Sequence, residues 1–339
     1  MLFLGAGFKY VIIFSIFMKV SFKKGFTVYY GERKEPIIIC PHSGPALEST
    51  TSRDDNSETT ASLLWRKMNG KLVIANVSRK RLWGVDFNRD IPPTKKAIES
   101  YNVFIKNTDL PVMIDYQKKY GWVAKDEEDY EERLKIYQGF WGEVEDENTI
   151  IFIHRQFNRL KSLPGLMDFI SLAGKGIKKE KVYEVILESN VKYGEFFRRI
   201  EPGYKQAVLF ETERLVAEAI KKHKVFDWGK FNLSTRGIFF RDLKVIKKYA
   251  EPYLIKRLEA KFTAENYLES AKNALKNSPC PRMTIENVFD GSLAHGPRRK
   301  LFTGKNKIVM EVEPSHFMNL WYPEETAIII KDVIEKLMK

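Results

Sequence analysis

Cysteine and histidine are both scarce in this chain. Of 339 residues only two are cysteine, Cys40 and Cys280, and they form no CxxC motif. That excludes a disulfide framework and points to a reducing compartment, so a cytoplasmic protein is expected. Zinc-finger spacing, internal repeats, low-complexity tracts and an aromatic–basic RNA-binding signature are absent as well. A secure membrane span is also lacking. Residues Leu2 to Phe17 are strongly apolar, but Lys9 interrupts them, they are short for a span, and no small-residue cleavage site follows. Three readings of this stretch stay open: membrane contact through residues 2–22, a start at Met18, or a first strand and hairpin of the fold. What the chain has in excess is positive charge, formally +13. The basic residues are spread out, with only short runs such as Lys221–Lys224 and Arg298–Lys300, which read as solvated faces. The balance suits nucleic acid, an anionic membrane or a small acidic substrate, and without a nucleic-acid motif no nucleic acid is expected.

Apolar residues make up 44% of the chain and charged residues 30%, enough for a substantial core. Strand-like and helix-like segments alternate in the first half, as in a mainly parallel sheet with helices on its faces. Pro36 to Cys40 is a short apolar run emptying into Pro41-His42-Ser43-Gly44, the pattern of a buried strand and its loop. Ser57–Met68 has helical spacing, stopped by Asn69-Gly70. Strands are expected at Lys71–Val77 and Thr149–Ile153, and helices at Lys95–Ile105 and Glu127–Glu145. Residues 178–278 are mostly helical, with long stretches at Lys181–Ile200, Glu213–His223 and Asp242–Lys276, and read as an insertion or cap within one domain spanning 1–339. Lys307–Glu313 returns to strand alternation, and Glu324–Met338 is a last helix.

Only five histidines exist, and two of them, His42 and His154, each directly follow an apolar strand. In open α/β sheets ligands bind beyond those carboxyl ends. Ser43 and Gly44 permit a tight polar turn where backbone N–H groups approach a ligand. Three carboxylates, Asp54, Asp55 and Glu58, stand at the start of the next helix, and any of them can add a third donor. Two imidazoles and a carboxylate with one open position form a usual catalytic zinc set.

Pro41-His42-Ser43-Gly44, then Ser78-Arg79, then Gly84-Val85-Asp86-Phe87-Asn88-Arg89, resemble the N-formylglutamate amidohydrolase family, which has a zinc carboxypeptidase-like fold. The resemblance covers most of residues 36–160 and resumes near 290–339. It implies a doubly wound mixed sheet flanked by helices (phosphorylase/hydrolase-like) and one Zn2+ held by His42, Glu58 and His154. It places Asp54 at an acidic position four residues before the ligand. It implies Glu311 as general base, although Glu313 lies on the same face of the same strand. Three positions depart from the family: Phe152 where relatives carry Asp, Arg155 where they carry Ser, and Gln138 near a place where they tend to carry His. With Phe152 there, His154 needs another partner to orient it, and Arg155 brings a positive charge beside the metal.

The expected activity is zinc-dependent hydrolysis of an amide bond in a small acidic N-acyl amino acid or short peptide. Arg79, Asn88 and Arg89 are then expected to hold the substrate carboxylate, with Arg79 in the catalytic group and Ser43 and Gly44 lining the substrate site. The alternative is a non-catalytic carboxylate- or peptide-binding protein on the same fold, its metal site degraded.

Overall fold

The computed structural model describes residues 19–46, 53–106, 114–144, 147–159, 162–172, 174–222, 264–287, 291 and 307–339. The apolar segment Leu2–Phe17, most of the Asp242–Lys276 stretch and the run Arg298–Lys300 lie outside the described residues. Among those described, no helix is long and apolar enough to cross a membrane.

The strands are β1 (Lys19–Lys23), β2 (Phe26–Tyr30), β3 (Ile37–Cys40), β4 (Lys71–Ala75), β5 (Thr149–Ile153), β6 (Gly165–Ile170), β7 (Arg282–Ile285) and β8 (Ile308–Pro314). They form one eight-stranded mixed sheet in the order β1-β2-β4-β3-β5-β8-β6-β7. The central strands β4, β3, β5 and β8 run parallel. The β1–β2 hairpin joins β4 antiparallel at one side, and β6 joins β8 antiparallel at the other. Asn190 caps the outer strand β7, exchanging both bonds with the Met283 backbone at 2.9 and 3.0 Å, so that edge offers fewer free groups to another chain.

The helices are α1 (Ser57–Met68), α2 (Thr94–Lys106), α3 (Ile114–Lys119), α4 (Glu127–Gly142), α5 (Lys179–Lys192), α6 (Gly194–Lys222), α7 (Ala264–Lys276), α8 (His316–Trp321) and α9 (Pro323–Leu337). Their ends follow local chemistry. Asp126 caps α4 by accepting from the Asp129 N–H at 2.9 Å, and Ser315 caps α8 through Met318 at 3.2 Å. Asn69, left-handed with φ 58°, closes α1 by bonding Trp65 O. The helix expected over Lys181–Ile200 is two, because the chain turns at Tyr193 and restarts at Gly194.

Both faces of the sheet are covered. Alternation along β3 sends Ile38 and Cys40 to one face and Ile37 and Ile39 to the other. On the first face they meet α1, α5, α6 and α9 through Leu64, Trp65, Val182, Tyr204, Ile330 and Ile334. Each such aliphatic side chain removed from water stabilises the fold by roughly 1.5–3 kcal/mol, an upper figure. On the second face β3, β4 and β5 meet α4 and the 85–87 loop, where Phe87 stacks on Phe140 at 3.9 Å between centroids. The described parts of the 178–278 segment thus share the sheet's own core. The consequence for function is directional: β3, β5 and β8 all deliver their carboxyl ends to one rim.

Candidate metal centre

His42 and His154 leave β3 and β5 at that rim, their rings 4.9 Å apart between centroids. The parallel register pairs Ile39 with Phe152, which sets the two strand ends side by side. Both histidines are buried, at 4% and 3% exposure. Asn319 holds the strand-end backbone: its Nδ2 donates to His154 O at 3.3 Å and its Oδ1 accepts from Thr60 of α1 at 2.7 Å.

The carboxylate between the rings is Asp54. Its Oδ2 lies 3.3 Å from His42 Nδ1 and 2.9 Å from His154 Nδ1. The three donor atoms lie within 4.8 Å of one another, a group that can hold a metal ion. Tetrahedral bonds of 2.0–2.1 Å separate neighbouring donors by about 3.3 Å, close to the two nitrogen–oxygen spacings here. Burial pushes the Asp54 carboxyl up, but hydrogen bonds from His154 and His42, and their charges, outweigh it and hold the group well below the usual carboxylate range.

Glu58, expected as the acidic donor, is outside this group. It stands in the first turn of α1 and is ion-paired with Arg53. Asp55 is also drawn away, lying 3.7 Å from Arg53 and 3.5 Å from Arg155. The reason is the chain path. Asn56 takes a left-handed turn at φ 62° before the helix, while the Asp54 N–H bonds His42 O at 2.9 Å, so Asp54 is tied to the end of β3.

His42 has a partner to which the sequence-based expectations assigned no role. Its Nε2 lies 3.1 Å from Asp86 Oδ1. Asp86 is fully buried, accepts the Asn88 N–H at 3.0 Å, and meets Arg81 at 3.1 Å. Burial pushes the Asp86 carboxyl up, but Arg81, His42 and Arg89 hold it well below its usual range. The donors of Arg81 also reach Tyr120 O at 3.3 Å and Gln117 O at 2.5 Å. A carboxylate on the far nitrogen of a ligating imidazole fixes its tautomer and orientation. The visible signal was Asp86 in its Gly84–Arg89 context.

The remaining expected residues divide between site and scaffold. Arg79 is at the site: its Nη1 lies 3.3 Å from His42 Nδ1 and 3.6 Å from Asp54 Oδ1, with 24% of its side chain exposed. Arg89 is 4% exposed, and donates to Gln117 O at 3.2 Å and Asn88 O at 3.0 Å, so these bonds tie it to the chain around it. Asn88 is buried beside it. Ser43 turns its hydroxyl back into the sheet, to Ala75 O at 2.8 Å and Cys40 O at 3.1 Å. A Cβ on Gly44 would lie 1.9 Å from Val77 O, and one on Gly84 would lie 1.9 Å from Ser78 O. Gly44 lets the loops after β3 and β4 close backbone to backbone, and Gly84 lets the second loop fold back on itself. Cys40 is a buried packing residue, with its thiol pushed up to about 12 by burial.

Register separates the two glutamates of β8. Glu311 pairs with Phe152 of β5 and Ile170 of β6. Val312 pairs with Ile153 and its carbonyl accepts the His154 N–H at 2.9 Å, so Glu313 is the one level with His154. Opposite Glu313 on β6 is Asp168. Part of Glu313 stays accessible, yet the protein crowded around it raises its carboxyl to about 8, with Asp54 and Asp168 adding to the rise and Arg79 and Arg155 opposing it. Glu311, expected as the general base, lies two residues further back along β8, opposite Phe152.

Fold and site together define an α/β protein with a buried His–Asp–His group at the carboxyl rim of its sheet. No family model, curated protein or solved structure matches the chain.

Proposed function

We propose that the chain is a zinc-dependent hydrolase cleaving an amide bond in an N-acyl amino acid or short peptide with a free carboxylate. The observation carrying this reading is the convergence of His42, Asp54 and His154, with Asp86 set behind His42. A bound Zn2+ would polarise the scissile carbonyl and lower the pKa of a water to about 7. Glu313, level with His154 at the rim, would take the proton from that water and return it to the leaving amine. Arg79, the partly exposed guanidinium of the cluster, meets the substrate's negative charge.

Support for a carboxypeptidase-like fold is the mixed sheet with its site at the carboxyl rim, and the placement of Asp86 of the Gly84–Arg89 stretch on His42. The departures at Phe152 and Arg155 leave the donor set in place. Phe152 packs against Trp141 in the core, 6.1 Å between centroids, and Arg155 is turned toward Arg53 and Asp55.

The test is metal content of protein purified without added metal, followed by assay on N-formyl amino acids. Expected are about one zinc per chain and amine release that stops on chelation and returns with zinc. A chain that takes up no metal and releases no amine would overturn the proposal.

A further inference from the structure

His42 and His154 are delivered by neighbouring strands, but Asp54 comes from a loop, and a loop carboxylate needs an anchor. Arg155, the residue after His154, reaches that loop. Its Nη2 donates to Arg53 O at 2.9 Å, and its Nη1 lies 3.5 Å from Asp55 Oδ2. These are the residues immediately before and after Asp54. Only 2% of the Arg155 side chain is exposed, so it faces the chain rather than a ligand.

The arm itself is braced. The Arg155 guanidinium lies over Phe157 at 4.2 Å, and Arg159 covers the same ring at 4.1 Å. Arg159 is in turn paired with Glu211 at 3.4 Å. Between them Gln156 is tied through its N–H to Pro314 O and through its side chain to Gly165 O, both at 2.9 Å.

We propose that Arg155 is a positioning residue that clamps the chain on both sides of Asp54, so that the loop carboxylate and the imidazole on β5 hold one spacing. The planar guanidinium fork suits two acceptors set apart, which the single ammonium of lysine does not match. Insofar as that spacing serves a metal, the inference rests on the function proposed above; the clamp itself does not.

The test uses the full chain and three variants, Arg155→Gln, Arg155→Lys and Asp55→Ala, with two readouts. In chelator-treated protein, amide exchange at Asp54 and Ser57 should accelerate about tenfold or more in Arg155→Gln while the β5 amides keep their rates. Arg155→Lys should recover part of that protection, and Asp55→Ala should lose less than Arg155→Gln. Zinc affinity, measured with Zn2+ alone, should fall about 10–100-fold in Arg155→Gln. Adding Asp55→Ala to it should change little further, because both act through one contact. Unchanged exchange at Asp54 and Ser57, or equal acceleration along the whole chain, overturns the clamp. If the wild type binds no zinc, the metal reading falls and exchange alone decides this proposal. Should Arg155→Gln fail to fold, Asp55→Ala, at a side chain 32% exposed, carries both readouts.

Discussion

Asp86 Oδ1 lies 3.1 Å from His42 Nε2, and this pairing decides which nitrogen of His42 faces the rest of the site. With that carboxylate at Nε2, Nδ1 is the ring nitrogen turned toward Asp54. Arg81 stands behind Asp86 at 3.1 Å, so a line of polar contacts runs Arg81–Asp86–His42–Asp54–His154. It joins the loop after β4 to the end of β5 through buried side chains.

Asp86→Asn should therefore weaken two properties at once. Removing the carboxylate charge loosens the His42 orientation, and zinc affinity should fall about 10–100-fold. It also leaves Arg81 buried without its counter-charge, a loss of about 3–5 kcal/mol in stability. Chelator competition and urea unfolding measure the two effects. Zinc binding equal to wild type in a folded variant would count against the role given to Asp86.

Phe87 tests how the motif is held in place. It is fully buried between Asp86 and Asn88 and stacks on Phe140. Phe87→Ala should cost about 3–5 kcal/mol, the usual range for an aromatic removed from a core. Because Phe87 anchors the loop carrying Asp86, zinc affinity should drop as well, without any change to a donor. A loss of stability with zinc affinity intact would show that the Asp86 loop does not depend on this anchor.

Much of the fold was legible because hydrophobic period and turn chemistry agreed. Ile37–Cys40, Ser57–Met68 and Thr149–Ile153 were visible as apolar runs or helical spacing closed by Pro41, Asn69-Gly70 and His154. β7 was hidden because only Met283 of its four residues is buried, and β6 because Asp168 interrupts its apolar run. The histidines were legible from position. The choice of Asp54 over Glu58 was not, since it depends on the left-handed turn at Asn56 and on Arg53 holding Glu58. Nor could sequence separate Glu311 from Glu313, which share a face and differ only in register against β5.

That register gives a direct kinetic expectation. Glu313→Gln should keep zinc and lose most turnover, about 100-fold or more, as for removal of a general base. Glu311→Gln should keep more activity, because Glu311 lies opposite Phe152. Steady-state rates with metal content measured on the same samples check this. The reverse ranking would restore Glu311 as the base.

Glu313 also makes a prediction for the chelated protein. Its carboxyl is raised from 4.5 to about 8 in the folded chain, so the folded state binds more protons than the unfolded state between those values. Stability must then fall as pH rises through that window, by up to about 2–4 kcal/mol, and level off above it. Glu313→Gln removes the titration, so its stability relative to wild type should grow from pH 5 to pH 8. Urea unfolding across that range reads the difference; parallel curves would mean that Glu313 titrates normally.

The last expectation concerns Arg79, because it bears on the substrate class. The sequence pointed to Arg79 and Arg89 together, but Arg89 is buried and donates to the carbonyls of Gln117 and Asn88. Arg79 is the one of the two with appreciable exposure, 24% of its side chain, and it stands against His42 and Asp54. A guanidinium can meet a carboxylate with two parallel bonds, a geometry lysine does not copy. Arg79→Lys should therefore reduce the preference for a free-carboxylate substrate over its amidated analogue by about 1.5–3 kcal/mol, the scale of a hydrogen bond to a charged group. Arg89→Lys should instead lower stability and leave that preference near wild type. The comparison is kcat/KM for the two substrates in each protein, with zinc content confirmed. If wild type treats both substrates alike, the site does not select for a carboxylate, and Arg79 acts only on His42 and Asp54 beside it.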